Sequence, residues 1–235
     1  MIPNHKWLNH LARMADSYIA HRVVSLNLDR SFDNNLVTIQ PDKAILFLPS
    51  AITLRNTRLF KDCMVMASGK WPMRLLYEDD KAKEILSELP PKVVEHLENI
   101  QDEIAAYVAE VLWELDNMVI PRPNDDHGLA SIKADMRKVI EDLKLRSMAE
   151  VGPPYVFAMP KYLRALSRSE LTKDYGDYRA REPNLGDSLD LLLENGLALY
   201  PAAVSGEGCF EYHFLGVGIS DEDLPWDNTN DKNWE

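Results

Sequence analysis

Cys209, Glu211 and His213 alternate along one short stretch of the chain. Period two places all three on the same face of a strand. A thiol, a carboxylate and an imidazole so arranged could bind a metal ion or activate the cysteine as a nucleophile. Same-face neighbours on a strand stand ~7 Å apart at the backbone, which is poor for direct pairing. A reactive cysteine also needs surroundings that lower its pKa. The simpler reading is a strand with this mixed face and an aromatic one, carrying Phe210, Tyr212 and Phe214.

The remaining histidines, His5, His10, His21, His96 and His127, form no paired-histidine metal motif. No glycine-rich phosphate loop, nucleophile elbow or CxxC occurs. Gly216-Val217-Gly218 lacks the third glycine and the following helix of a dinucleotide fingerprint. Asp79-Asp80 and Asp125-Asp126-His127 sit where helices should begin, and capping accounts for them. The sequence therefore predicts no catalytic residue, no metal ligand and no cofactor, and points to a protein that associates with other chains.

Composition narrows the partners. The chain has 235 residues, enough to bury a core without disulfides or metals. Its formal net charge is −12. Nucleic acid binding needs clustered Lys and Arg to displace counterions, so sequence-specific DNA or RNA binding is not expected. No apolar run is long enough to span a membrane. Two cysteines, Cys63 and Cys209, are too few for a disulfide framework and suit a reducing, cytoplasmic setting.

The elements that would position these groups follow from periodicity. Residues 7–22 read as an amphipathic helix, through Trp7, Leu8, Leu11, Ala15, Tyr18 and Ile19. Val23, Val24 and Leu26 follow as an apolar exit. From residue 36 the pattern turns strand-like: Val37 and Ile39 alternate with polar neighbours, 44–48 is an apolar run stopped by Pro49, and 63–66 and 71–75 suggest further strands. Much of 24–76 is thus expected as extended hairpin. A short helix should start at Asp79-Asp80. Residues 92–119 carry the longest apolar stripe, implying a helix of roughly 40 Å with an acidic solvent face. A second helix spans 129–148, a short strand 155–159, and a helix begins at Pro160. Asn195-Gly196 is a hairpin signal. Residues 220–235 hold six acids against one lysine and read as a mobile acidic tail. Within it, Asp221-Glu222-Asp223-Leu224-Pro225-Trp226 resembles the acidic, hydrophobic-tipped tail of bacterial single-stranded-DNA-binding proteins, which recruits partner proteins from the chain end.

The order of elements, with Ala20-His21-Arg22-Val23-Val24-Ser25-Leu26 and the passage from Gly152-Pro153-Pro154-Tyr155 through Pro160-Lys161-Tyr162-Leu163, resembles HK97-type shell proteins, the encapsulins and tailed-phage major capsid proteins. The resemblance implies an α+β fold: an N-terminal helix at 1–23, a protruding hairpin or E-loop at 24–76, a spine helix within 77–120, a mixed axial region at 121–219, and the tail. It implies a structural shell subunit in a virion or a cytoplasmic compartment. Its partners would be further copies of itself and cargo or scaffold proteins, with cargo contacts near Trp7, Leu11 and Ile19. Two other readings stay open: an acidic α/β regulator or inhibitor that binds proteins, and an enzyme using Cys209 and His213.

Overall fold

The structure is a computed structural model that describes residues 5–33, 39, 41–69, 80–120, 127–151, 158–169, 189, 192–193, 215–216 and 218–226. Its elements are α1 (His5–Ser17), α2 (His21–Asp33), a 3-10 run (Pro41–Phe47), α3 (Leu48–Thr53), α4 (Thr57–Ser68), α5 (Asp80–Glu88), α6 (Pro91–Val119), α7 (His127–Val151) and α8 (Ala158–Arg168). Among the described residues there is no strand.

That overturns the α+β expectation and, with it, the resemblance to HK97-type shell proteins. Residues 24–76 were to project as a hairpin. Instead their described part forms the end of α2, the 3-10 run, α3 and α4, and α4 is the most deeply buried of the described helices. The described parts of the 121–219 region are helical too, apart from the short non-helical stretches at 215–216 and 218–219, where a mixed axial domain was expected.

The physical reason lies in α4. Leu59, Phe60, Asp62, Cys63, Met64, Val65, Met66, Ala67 and Ser68 are all buried. A helix buried over most of its circumference shows little 3.6-residue alternation, and a short apolar run then looks the same as a buried strand. Pro49, read as the end of a strand, stands in the first turn of α3, where its missing N–H costs nothing.

Asn56 fixes where α4 begins. Its side-chain oxygen accepts from the Leu59 backbone N–H at 2.7 Å, the N-cap bond. Its amide nitrogen donates to Ser25 Oγ at 2.8 Å and to Asp29 Oδ1 at 2.9 Å, which ties α4 to α2. Just before it, α3 closes with Arg55 N–H donating to the Ile52 carbonyl and Asn56 N–H to the Ala51 carbonyl. These are the two bonds of a Schellman motif. The left-handed position is filled by Arg55, at φ 48°, where glycine is usual.

The long helix expected over 92–119 runs Pro91–Val119, with Pro91 in its first turn. Val93, Leu97, Ile100, Ile104, Val108, Val111 and Leu115 are buried along one side. Truncating any of them to alanine should cost about 2–5 kcal/mol, from lost transfer energy plus the cavity left behind. The helix packs against α4 and α7. Its last carbonyls are taken by cations on α7: Lys133 Nζ donates to Ile120 O at 3.1 Å and Arg137 Nη2 to Val119 O at 3.0 Å. Positive charge at a helix C-terminus also offsets the macrodipole.

The chain returns to this core near its end. Leu215 N–H donates to Gly69 O at 2.8 Å, and Gly216 N–H to Leu192 O at 2.8 Å. The approach is so close that a Cβ on Gly69 would lie 1.8 Å from Leu215 O. Only glycine fits there.

Candidate functional site

Two surfaces combine unusual features, and neither is a catalytic constellation. The first is the corner between α1 and α2. Helix α1 buries Leu8, Ala12 and Ala15 on one face, and the two alanines let it approach α3 closely. Ser50 Oγ donates to Asn9 Oδ1 across that contact. Beside the buried face runs a second stripe. Trp7, Met14 and Tyr18 recur at seven and four residues, which is one line along a helix. All three are exposed, while Leu11 between them is half-buried against the core.

The stripe continues around the corner. Ile19 N–H donates to Asp16 O at 3.2 Å and Ala20 N–H to Ala15 O at 2.8 Å, a second Schellman closure. Ile19 holds the left-handed position at φ 53°. For a β-branched residue this is a true outlier, and strain of this kind clusters where function requires it. Its side chain gains almost nothing in return, being 79% exposed. His21 Nε2 lies 3.0 Å from Asp16 Oδ1 and braces the turn. Helix α2 buries Leu28 and Phe32 and exposes Val23 and Leu26.

Summed over α1, the turn and α2, Trp7, Met14, Tyr18, Ile19, Val23 and Leu26 expose on the order of 700 Å², near the roughly 800 Å² that each partner buries in a standard interface. Monomers rarely leave so much apolar surface together without a use for it. The charge around it is also distinctive. Residues 5–33 hold Lys6, Arg13, Arg22 and Arg30 against Asp16, Asp29 and Asp33, in a chain whose net charge is −12.

The second surface is where residues 218–226 lie against α4 and α6. Leu224 is buried and Trp226 packs edge-on against Phe60, ring centroids 5.4 Å apart at 70°. Such a ring contact is worth about 0.5–1.5 kcal/mol beyond its area. Asp221 Oδ1 pairs with Lys61 Nζ at 2.7 Å. Asp221 is largely exposed, so that pair adds little stability and chiefly sets orientation. Asp223 accepts from the Ser220 N–H at 2.8 Å, folding the segment into a tight turn, and its other oxygen lies 3.7 Å from His96 Nε2. The reading of 220–235 as a mobile tail therefore needs correcting for residues 220–226, which are docked. Residues 227–235 lie outside the described residues.

Ionisable groups elsewhere, Cys63 and Tyr162 buried and His5 partly so, are set for structure. Burial, with Asp62 beside it, pushes the Cys63 thiol well up from its usual value, which keeps it protonated and unreactive. Burial, then the charge of Asp116, raises the Tyr162 phenol to about 12. Burial, then Lys6, Lys81 and Lys43, lowers the His5 imidazole, whose ring meets Phe47 edge-on at 6.3 Å.

Of the residues singled out from sequence, Trp7 and Ile19 fall on the exposed stripe and Leu11 sits half-buried behind it. The cargo role implied for them falls with the shell fold. Cys209, Glu211 and His213 lie outside the described residues. Met14 was missed, although its seven-residue spacing from Trp7 was the available signal. The docking of Leu224 and Trp226 was missed because their partners lie far away in sequence. Among the described residues no group of three or more His, Cys, Asp or Glu could hold a metal ion. No described helix is long and apolar enough to cross a membrane. Compared with protein-family models, curated proteins and solved structures, the chain finds no match in any of the three.

Proposed function

We propose that this chain is a helical protein-association module whose first partner is a second copy of itself, paired through the α1–α2 corner. The observation that carries the reading is the exposed line from Trp7 through Tyr18 and Ile19 to Leu26. An exposed β-branched residue held in a left-handed conformation fits a surface kept for contact at a cost in stability.

Charge supports self-pairing at this face. Two copies of net charge −12 repel wherever acidic faces meet. Residues 5–33 are close to electrically balanced, so copies can approach there with little penalty. A twofold pair would place the same patch on both sides, the commonest closed arrangement. The exposed area matches what such an interface needs. No chemistry enters the role, and a cytoplasmic setting suits it, supported by the scarcity of cysteine.

Salt gives the test. Pairing through apolar contacts against an overall acidic repulsion strengthens as ionic strength rises, because salt screens the repulsion and leaves the apolar contact intact. Light scattering on the purified chain should show the mass of a dimer, with the dimer fraction growing from low to high salt. Dissociation by added salt would mean that charge, and not this patch, joins the copies.

A further inference from the structure

We propose that the face of α4 and α6 around Phe60, Lys61 and His96 is a receptor for a short acidic–aromatic peptide, held in cis by the chain's own Ser220–Trp226. The partner in trans is a protein segment of the same chemistry: two carboxylates spaced two residues apart, then a leucine, then an aromatic ring two residues further on.

Three features of the docked segment support this. It has no helix or strand of its own, so its hold on the core comes from side chains and one tight turn, as in a bound linear peptide. The face it covers belongs to two helices that are complete without it, so the binding wall is preformed. The contacts are complementary in kind as well as shape. Asp221 meets Lys61 at 2.7 Å, Asp223 faces His96 at 3.7 Å, Leu224 is buried, and Trp226 and Phe60 meet in a T-shaped contact. Leu215, bonded to Gly69, fastens the chain five residues before Ser220. A tether this short holds the cis ligand at an effective concentration on the order of millimolar, which masks the site from weaker competitors. A partner binds when it is concentrated enough, or tight enough, to displace the strap.

The test uses the full chain and a synthetic peptide of the sequence of residues 218–226, Gly-Ile-Ser-Asp-Glu-Asp-Leu-Pro-Trp. Fluorescence anisotropy of the labelled peptide should show saturable binding to a Leu224→Ala, Trp226→Ala variant, at least tenfold tighter than to the unaltered chain. Adding Lys61→Glu, which replaces the attraction to Asp221 with a like-charge contact, should weaken that binding about threefold. Hydrogen–deuterium exchange on the unaltered chain covers the case in which the double variant misfolds. Excess free peptide should speed exchange at residues 218–226 of the protein while Thr57–Ser68 stays protected. No saturable binding to a folded double variant, binding indifferent to Lys61→Glu, or exchange at 218–226 unchanged by excess peptide would each overturn the proposal.

Discussion

Replacing Ile19 with glycine should make this protein more stable, although it deletes a large apolar side chain. An L-residue in the left-handed conformation costs about 1–2 kcal/mol relative to its right-handed basin, and a β-branched one stands at the upper end. Ile19 holds φ 53° because the Schellman bonds to Asp16 and Ala15 require it. Glycine adopts the same angle freely. Against that gain stands the larger entropy of the unfolded glycine chain, about 0.4–1 kcal/mol. Burial hardly enters, since the side chain is 79% exposed. The net expectation for Ile19→Gly is about 0.5–1 kcal/mol of added stability, or a rise of roughly 2–3 °C in melting temperature for a chain of this size. Ile19→Ala keeps a Cβ and should recover only part of this. Melts followed by circular dichroism should be run dilute, so that pairing does not add to apparent stability. The same substitution should weaken self-association. A loss of stability in Ile19→Gly would refute the reasoning, because it would mean that the side chain is packed or the backbone unstrained.

Other perturbations test the interior. Asn56→Ala removes a helix cap worth about 1 kcal/mol and leaves Ser25 and the Asp29 carboxylate without their donor, for a total near 3 kcal/mol by urea denaturation. Asn56→Asp keeps the cap but sets a carboxylate against Asp29, so it should be at least as damaging; wild-type stability for it would show that capping is the only role of Asn56. Tyr162 contributes stability that is complete below the unfolded phenol's value near 10 and is lost as pH rises through about 12. That amounts to on the order of 2–3 kcal/mol, and Tyr162→Phe should flatten the alkaline limb of the stability–pH curve.

The sequence exposes this fold unevenly, for reasons that particular residues make plain. Helix α6 was legible because seven residues from Val93 to Leu115 keep one stripe along most of a 29-residue helix, long enough for periodicity to be unmistakable. Helix α4 was not, because nine of the ten residues from Leu59 to Ser68 are buried, Lys61 alone excepted, which leaves too little polar face to mark its turns. Ile19 and Arg55 hid two helix ends, since glycine is the residue that normally announces a Schellman closure. Pro49 and the run before it suggested a strand because proline ends strands and starts helices with equal ease. Once 24–76 was taken as extended, the element order resembled a shell protein that the helices of the structure exclude. The exposed stripe was half legible. Trp7 and Ile19 came from the apolar pattern, but which of two neighbouring stripes on α1 would be buried depends on α3, and that contact is not written locally.

Sedimentation equilibrium of the wild-type chain beside Tyr18→Glu and Val23→Glu variants tests the central claim most directly. Both side chains are exposed, so neither change should disturb the fold. The account predicts a wild-type monomer–dimer equilibrium and monomer alone for each variant at the same concentrations. A wild-type chain that stays monomeric throughout, or a dimer that survives both glutamates, would contradict it.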